Sequence, residues 1–195
     1  MKNKNVFILL SGGVDSVSLI PYYISKNFNI TCLWVDYGQI GGEFEYEAAN
    51  YFCNKFDLKL VTVNMDENIN IVDNDMMEYK GRNLLIISMA LSLFPYQFGL
   101  ISSGIRYSIN YPDCQDKFVI SISEVVDNIS SGKILLDFPF YNFRKNEIII
   151  YAIKNNIDID KTYSCILGHP KGCEECISCK ELNQALKELE IYGRN

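Results

Sequence analysis

A doubly wound parallel α/β sheet is the fold class the sequence predicts, and three observations predict it. Short β-branched or apolar runs alternate with amphipathic stretches of helical length along most of the chain. The first apolar run, Val6-Phe7-Ile8-Leu9-Leu10, ends on a Ser-Gly-Gly turn that opens onto a helical segment, which is the order of a strand, a tight connection and a helix. With 195 residues, 48% of them hydrophobic, the chain is long enough to bury a sizeable core and is about the size of one domain.

The elements follow in order. Residues 5–10 read as the first strand and 17–26 as its helix; 30–35 and 43–56 make the second pair, and 59–63 the third strand. Residues 65–82 carry Asp66, Glu67, Asp73, Asp75 and Glu78 with few strand or helix signals, the pattern of a long functional or mobile loop. Helix 84–94, strand 100–103, helix 116–126, strand 134–136, helix 145–154 and a last helix over 180–191 complete the alternation. Such sheets take their ligand beyond the carboxyl ends of the strands near the switch point. Three motifs sit at such ends: residues 11–16, the Asp36-Tyr37-Gly38-Gln39 stretch, and Gly104.

Ser11-Gly12-Gly13-Val14-Asp15-Ser16 reads as an anion-binding turn. Its glycines permit positive φ and close backbone approach. Its serines add hydroxyl donors, and amides at the start of the next helix point at whatever negative group lies there. A nucleotide phosphate is the natural occupant, although the lysine-bearing loop G-x-x-x-x-G-K-[ST] is absent. Gly81-Arg82-Asn83 closes the acidic stretch with a guanidinium that can fork onto a phosphate or carboxylate.

Composition excludes several partners. With 18 basic against 24 acidic residues the net charge is −6, and no stripe of Lys and Arg neutralises a phosphate backbone, which argues against tightly held nucleic acid. The amino-terminal apolar run is too short for a signal peptide and no window is apolar enough to span a bilayer, so a cytoplasmic protein is expected. Of the 7 cysteines, Cys165, Cys173, Cys176 and Cys179 crowd into one stretch, which fits metal chemistry in a reducing compartment. Zinc is the default ion for four sulfurs in a closed tetrahedral site. An iron–sulfur cluster uses cysteines spaced this way too, and its brown colour separates the two. His169, the one histidine, lies in this loop as a bystander. The metal is expected to pin the last helix, making residues 161–195 a segment packed on an α/β domain formed by residues 1–160.

Residues 11–16 resemble the SGGxDS loop of the ATP pyrophosphatases, or PP-loop enzymes, which grip the β,γ-pyrophosphate of ATP and cleave between the α and β phosphates. The order of motifs is more specific. It runs through residues 11–16, Asp36 to Gln39, Gly81-Arg82-Asn83, Gly104, Tyr111-Pro112-Asp113-Cys114, Phe138-Pro139, Lys145-x-Glu147, and Thr162-Tyr163-Ser164-Cys165 ahead of the three spaced cysteines. Over nearly the whole chain this resembles the 7-cyano-7-deazaguanine synthase family, and the resemblance implies an adenine nucleotide α-hydrolase-like fold. It implies ATP-dependent activation of the carboxylate of 7-carboxy-7-deazaguanine, capture by ammonia, and conversion of the amide to the nitrile with a second ATP.

On that resemblance Leu10, Ser11, Gly12, Gly13, Val14, Asp15, Ser16, Asp36, Tyr37, Gln39, Gly81, Arg82, Asn83 and Gly104 hold ATP with Mg²⁺, and Asp15, Ser16 and Arg82 serve the chemistry. Tyr111, Asp113 and Lys145 meet the deazaguanine, and Cys165, Cys173, Cys176 and Cys179 hold Zn²⁺. Homodimers are common in the family. Departures mark this chain as divergent: residues 105–110 form a shorter segment without an acid, Ile40-Gly41-Gly42 replaces basic residues, Gln115 replaces an arginine, and Lys180-Glu181-Leu182 stands where another arginine is usual. Two other readings follow: a relative from antiviral defence that joins a deazaguanine to the amine of a partner protein, and a non-catalytic ATP-sensing module.

Overall fold

Five parallel strands form the frame: β1 (Asn5–Leu9), β2 (Asn29–Asp36), β3 (Lys59–Asn64), β6 (Gly99–Ser103) and β7 (Ile134–Asp137), in the order β3-β2-β1-β6-β7. The computed structural model describes residues 4–65, 72–73, 78–79, 81–108 and 111–192. Because β1 is flanked by β2 on one side and β6 on the other, the strand order reverses between β1 and β6, and a crevice opens beyond their carboxyl ends.

Alternation along each strand sends side chains into two separate helical layers. Val6, Ile8 and Leu10 of the first strand and its end join Cys32 and Trp34 of β2 on one face. There they pack on α1 (Val14–Val17), α2 (Leu19–Ile24), α3 (Gly42–Lys55), α6 (Lys145–Lys154) and α7 (Ile177–Tyr192), through residues such as Tyr23, Phe52, Ile148 and Ala185. Phe7, Leu9, Leu33 and Val35 face the other way, onto Ile87 and Ala90 of α4 (Arg82–Ser92) and Ile122 and Val126 of α5 (Asp116–Ser130). The expected α/β class, a parallel sheet with helices on both faces, is what the structure has.

Four differences from expectation stand out. The helix expected over 17–26 begins at Val14 and breaks at Ser18 into α1 and α2. Pro21 supplies no amide and its ring crowds the carbonyl of Val17, so the ladder cannot run through. Within the stretch expected to be a loop, β4 (Val72–Asp73) and β5 (Glu78–Tyr79) pair antiparallel as a separate two-stranded sheet. Asp66, Glu67 and Asp75 lie outside the described residues. α5 runs to Ser130 rather than 126 and stops where Ser131 and Gly132 turn left-handed, with φ of 53° and 75°. The last helix begins at Ile177, so Cys179 lies in its first turn. No helix among the described residues is long and apolar enough to cross a membrane.

Candidate active site

The crevice at the switch point is a cavity of about 540 Å³. Three strand ends and the carboxyl-terminal segment wall it: Leu10, Ser11, Gly13, Asp15 and Ser16 after β1, Tyr37 and Gln39 after β2, and Gly104 after β6. Arg82, Asn83, Tyr111, Lys145 and Cys165 also line it.

Backbone contact holds these walls together. Gly12 has φ of +79°, and a Cβ there would lie 2.7 Å from the Glu45 carbonyl oxygen and 2.8 Å from the Ala48 Cβ on α3. Only glycine takes that angle in that space. A Cβ on Gly104 would meet the Asp15 carbonyl carbon and the Ser16 amide nitrogen, each at 2.9 Å, so the turn after β6 rests directly on the turn after β1. Ser16 closes the first turn on itself: its hydroxyl donates to the Gly13 carbonyl at 3.0 Å, accepts from the Ser11 amide at 3.2 Å, and lies 3.1 Å from the Ser11 hydroxyl.

Asp15 is the electrostatic centre. Its Oδ2 accepts from Lys145 Nζ at 2.9 Å and from Arg106 Nε at 3.3 Å, while its Oδ1 is buried and has no hydrogen-bond partner among the described residues. Arg106 in turn donates through Nη2 to Glu181 Oε1 at 2.6 Å. The bare Oδ1 is a hard oxygen donor of the kind Mg²⁺ takes, so the residues present fit that ion. Burial opposes the charge of the Arg106 guanidinium, yet Asp15 and Glu181 outweigh it and hold its pKa above the ordinary value.

After β2, Asp36 accepts from the Gly38 amide at 3.0 Å and thereby fixes a turn. Gln39 accepts from the Tyr37 amide at 2.8 Å and donates to the Val35 carbonyl at 3.1 Å and to Glu45 Oε2 at 3.0 Å. Burial pushes the Glu45 carboxyl up to about 7, against the pull of Gln39 and Arg82 and with the help of Asp36. On the opposite wall Gly81, at φ of +72°, starts α4, so that Arg82 and Asn83 open the helix beside the cavity. Burial lowers the Arg82 pKa, but Tyr37, Asp113 and Cys114 reverse that and keep the guanidinium firmly charged.

Asp113 is tied to the start of α4. Its Oδ2 accepts from the Asn83 amide at 3.2 Å and its carbonyl from Asn83 Nδ2 at 3.1 Å, which ties the turn Pro112–Cys114 to the start of α4. Asn83 is spent in the same way, its Nδ2 also reaching Cys114 Sγ at 3.5 Å. Gly12, Val14, Asp36, Gly81 and Asp113 support the cavity from behind rather than lining it.

The sulfurs of Cys165, Cys173, Cys176 and Cys179 all lie within 4.8 Å of one another, and Cys173 and Cys179 are 3.9 Å apart. Bonds of about 2.3 Å to a tetrahedral ion put sulfurs about 3.8 Å apart, so the donor set fits one such ion. Two amides brace it: Cys176 donates to Cys173 Sγ at 3.2 Å and Cys179 to Cys176 Sγ at 3.4 Å. The first of these amides lowers the Cys173 thiol to about 6, toward the thiolate a metal requires. His169 is not among the clustered donors.

This cluster is continuous with the cavity. The Tyr163 amide donates to the Gly12 carbonyl at 3.0 Å, and a Cβ on Gly41 would lie 2.9 Å from the Cys165 carbonyl. Tyr163, Ser164, Ile166, Ile177, Ser178 and Glu181 therefore complete a wall of the crevice. Those residues, with Arg106 and Glu45, are what sequence reasoning missed. The hint lay in the departures themselves, since the segment shortened around Arg106 and the Lys180-Glu181-Leu182 replacement meet in space.

A parallel sheet with a Ser-Gly-Gly-x-Asp-Ser turn at its switch point, facing converging cations, defines a protein of the PP-loop class. The chain matches the family described as Queuosine biosynthesis protein QueC over residues 5–80 and 78–190, and it belongs to that family. It is 30% identical to a 7-cyano-7-deazaguanine synthase of Prochlorococcus marinus (strain MIT 9312), an alignment covering 96% of each chain. It is 24% identical to 7-cyano-7-deazaguanine synthase 1 of Sulfurisphaera tokodaii, covering 94% of this chain and 93% of that one. Among solved structures, a 4-thiouridine synthetase in complex with RNA and bound ATP shares the fold, with a TM-score of 0.55 and 17% identity over 96% of this chain and 52% of that one.

Proposed function

We propose that the chain is an ATP-dependent C–N ligase that converts 7-carboxy-7-deazaguanine to 7-cyano-7-deazaguanine. The observation that carries this reading is the convergence of Asp15, Lys145, Arg106 and Arg82 on one cavity at the β1/β6 switch point. Family membership supplies the substrate class.

In the first step a substrate carboxylate oxygen attacks the α-phosphorus of ATP and pyrophosphate leaves. Ser11, Ser16 and the amides of the first turn would hold the departing β,γ-phosphates, and Arg82 would meet the α-phosphate, where charge grows as the bond breaks. Asp15 would hold Mg²⁺, which when bound neutralises phosphate charge. Ammonia then attacks the acyl carbon, AMP departs with the C–O electron pair, and the nitrogen loses a proton to leave the amide. A second ATP accepts attack by the amide oxygen with loss of pyrophosphate, and departure of AMP with two protons from nitrogen leaves the nitrile. Lys145 and Tyr111 would contact the deazaguanine. A Zn²⁺ on Cys165, Cys173, Cys176 and Cys179 would be structural and would hold the segment 161–195 against the α/β domain of residues 1–160, where it walls the cavity.

The test is pyrophosphate release on mixing the protein with ATP, Mg²⁺, 7-carboxy-7-deazaguanine and ammonium, with mass spectrometry of the products. Two pyrophosphates per nitrile support the reading. ATP binding without pyrophosphate release overturns it in favour of a nucleotide sensor.

A further inference from the structure

Arg106 stands on a fixed stem. Ile105 before it is buried in the layer under α4 and α5, and the Tyr107 amide after it donates to the Tyr141 carbonyl at 2.8 Å. From there the guanidinium spans two carboxylates that lie 91 and 75 positions away in sequence, Asp15 through Nε and Glu181 through Nη2. Lys145 approaches Asp15 from α6 and takes the same oxygen, Oδ2. Both cations thus crowd one oxygen of Asp15, while Oδ1 is left buried without a donor among the described residues. A lone lysine is a point charge that lets a carboxylate swivel, whereas a guanidinium held at a second carboxylate fixes its direction. Glu181 is the anchor: its side chain is 44% exposed, so its ion pair adds little stability in its own right and acts through geometry.

We propose that Arg106, braced by Glu181 on α7, is a positioning residue that holds the Asp15 carboxylate so that Oδ1 is reserved for the divalent cation accompanying the nucleotide. This rests on the reading of the cavity as an ATP site. The brace starts on the helix whose first turn carries Cys179, so the carboxyl-terminal segment sets the direction of a side chain in the first turn of the chain.

The experiment measures ATP binding by calorimetry while Mg²⁺ is titrated, on zinc-replete protein, with melting midpoint and bound zinc recorded for each variant. For Arg106→Ala the Mg²⁺ concentration at half-saturation rises about tenfold, and for Arg106→Lys by less, because an ammonium cannot bridge both carboxylates. Glu181→Gln, which leaves every group touching Asp15 in place, raises it about threefold, and the double variant is no worse than Arg106→Ala alone. Should Arg106→Ala fail to fold, Glu181→Gln carries the result. Unchanged Mg²⁺ half-saturation in Glu181→Gln, or ATP binding that ignores Mg²⁺ in the unmodified protein, overturns the proposal. Failure of the unmodified protein to bind ATP at any Mg²⁺ concentration overturns the ATP reading itself.

Discussion

The molecule gathers reactive groups in two places, around Asp15 and at the four cysteines, and balances them differently. Around Asp15 the protein supplies its own counter-charges: Lys145 and Arg106 converge on one carboxylate oxygen, and Arg106 is shared with Glu181. At the cysteines the contacts are backbone amides donating to sulfur, those of Cys176 and Cys179 among them, so four thiolates there repel one another unless an ion joins them. The first centre is balanced by its own side chains; the second is balanced only when an ion joins the four sulfurs. Substitutions at the first should therefore change chemistry with the fold intact, and substitutions at the second should change the fold first.

Four measurements break or sharpen that contrast. Asp15→Ala should abolish pyrophosphate release, a loss of about a thousandfold or more as for removal of a charge-stabilising group, with the melting midpoint nearly unchanged. Large unfolding in that variant would erase the distinction. Cys176→Ser should lower zinc content and stability together, by about 4 kcal/mol or more, the range that lost metal sites occupy; full metal occupancy with an unchanged melt would show that the cysteines do not form the second centre. Gly104→Ala puts a methyl against the backbone of Asp15 and Ser16 and should cost about 1–3 kcal/mol of stability while reducing ATP affinity, read by denaturant unfolding and calorimetry.

The smallest effect is one of pH. The Glu45 carboxyl is raised to about 7 in the folded chain from an ordinary 4.5, so between those values the native state binds the proton that the unfolded state has released. Its contribution is most favourable below the lower value and is lost as pH rises through about 7, by at most about 3 kcal/mol. Glu45→Gln should flatten stability against pH across that window; an unchanged slope assigns it to other groups.

The strands, their order of appearance and the turn after β1 were legible because each is written in a contiguous stretch: a strand-like run followed by glycine, or cysteines three apart. The break at Ser18 was missed, although Pro21 signals it once the ring is set against the carbonyl four residues back. What could not be read is contact across the chain. Nothing local links Lys145 to Asp15, 130 positions away, or Asn83 to Asp113, 30 positions away. Glu45 looks like any acid in the first turn of an amphipathic helix, and only its burial beside Gln39 sets it apart.

Gly12 and Gly104 are joints of the crevice walls where an added Cβ would come within 3 Å of main chain or of a short side chain. Such joints do not depend on the identity of the larger residues around the rim, such as Tyr107 and Ile177. Exchanging those residues can remodel the mouth of the cavity while the turn after β1 stays in place. The frame therefore offers evolution, or a designer, a way to reshape the entrance of the crevice independently of its floor.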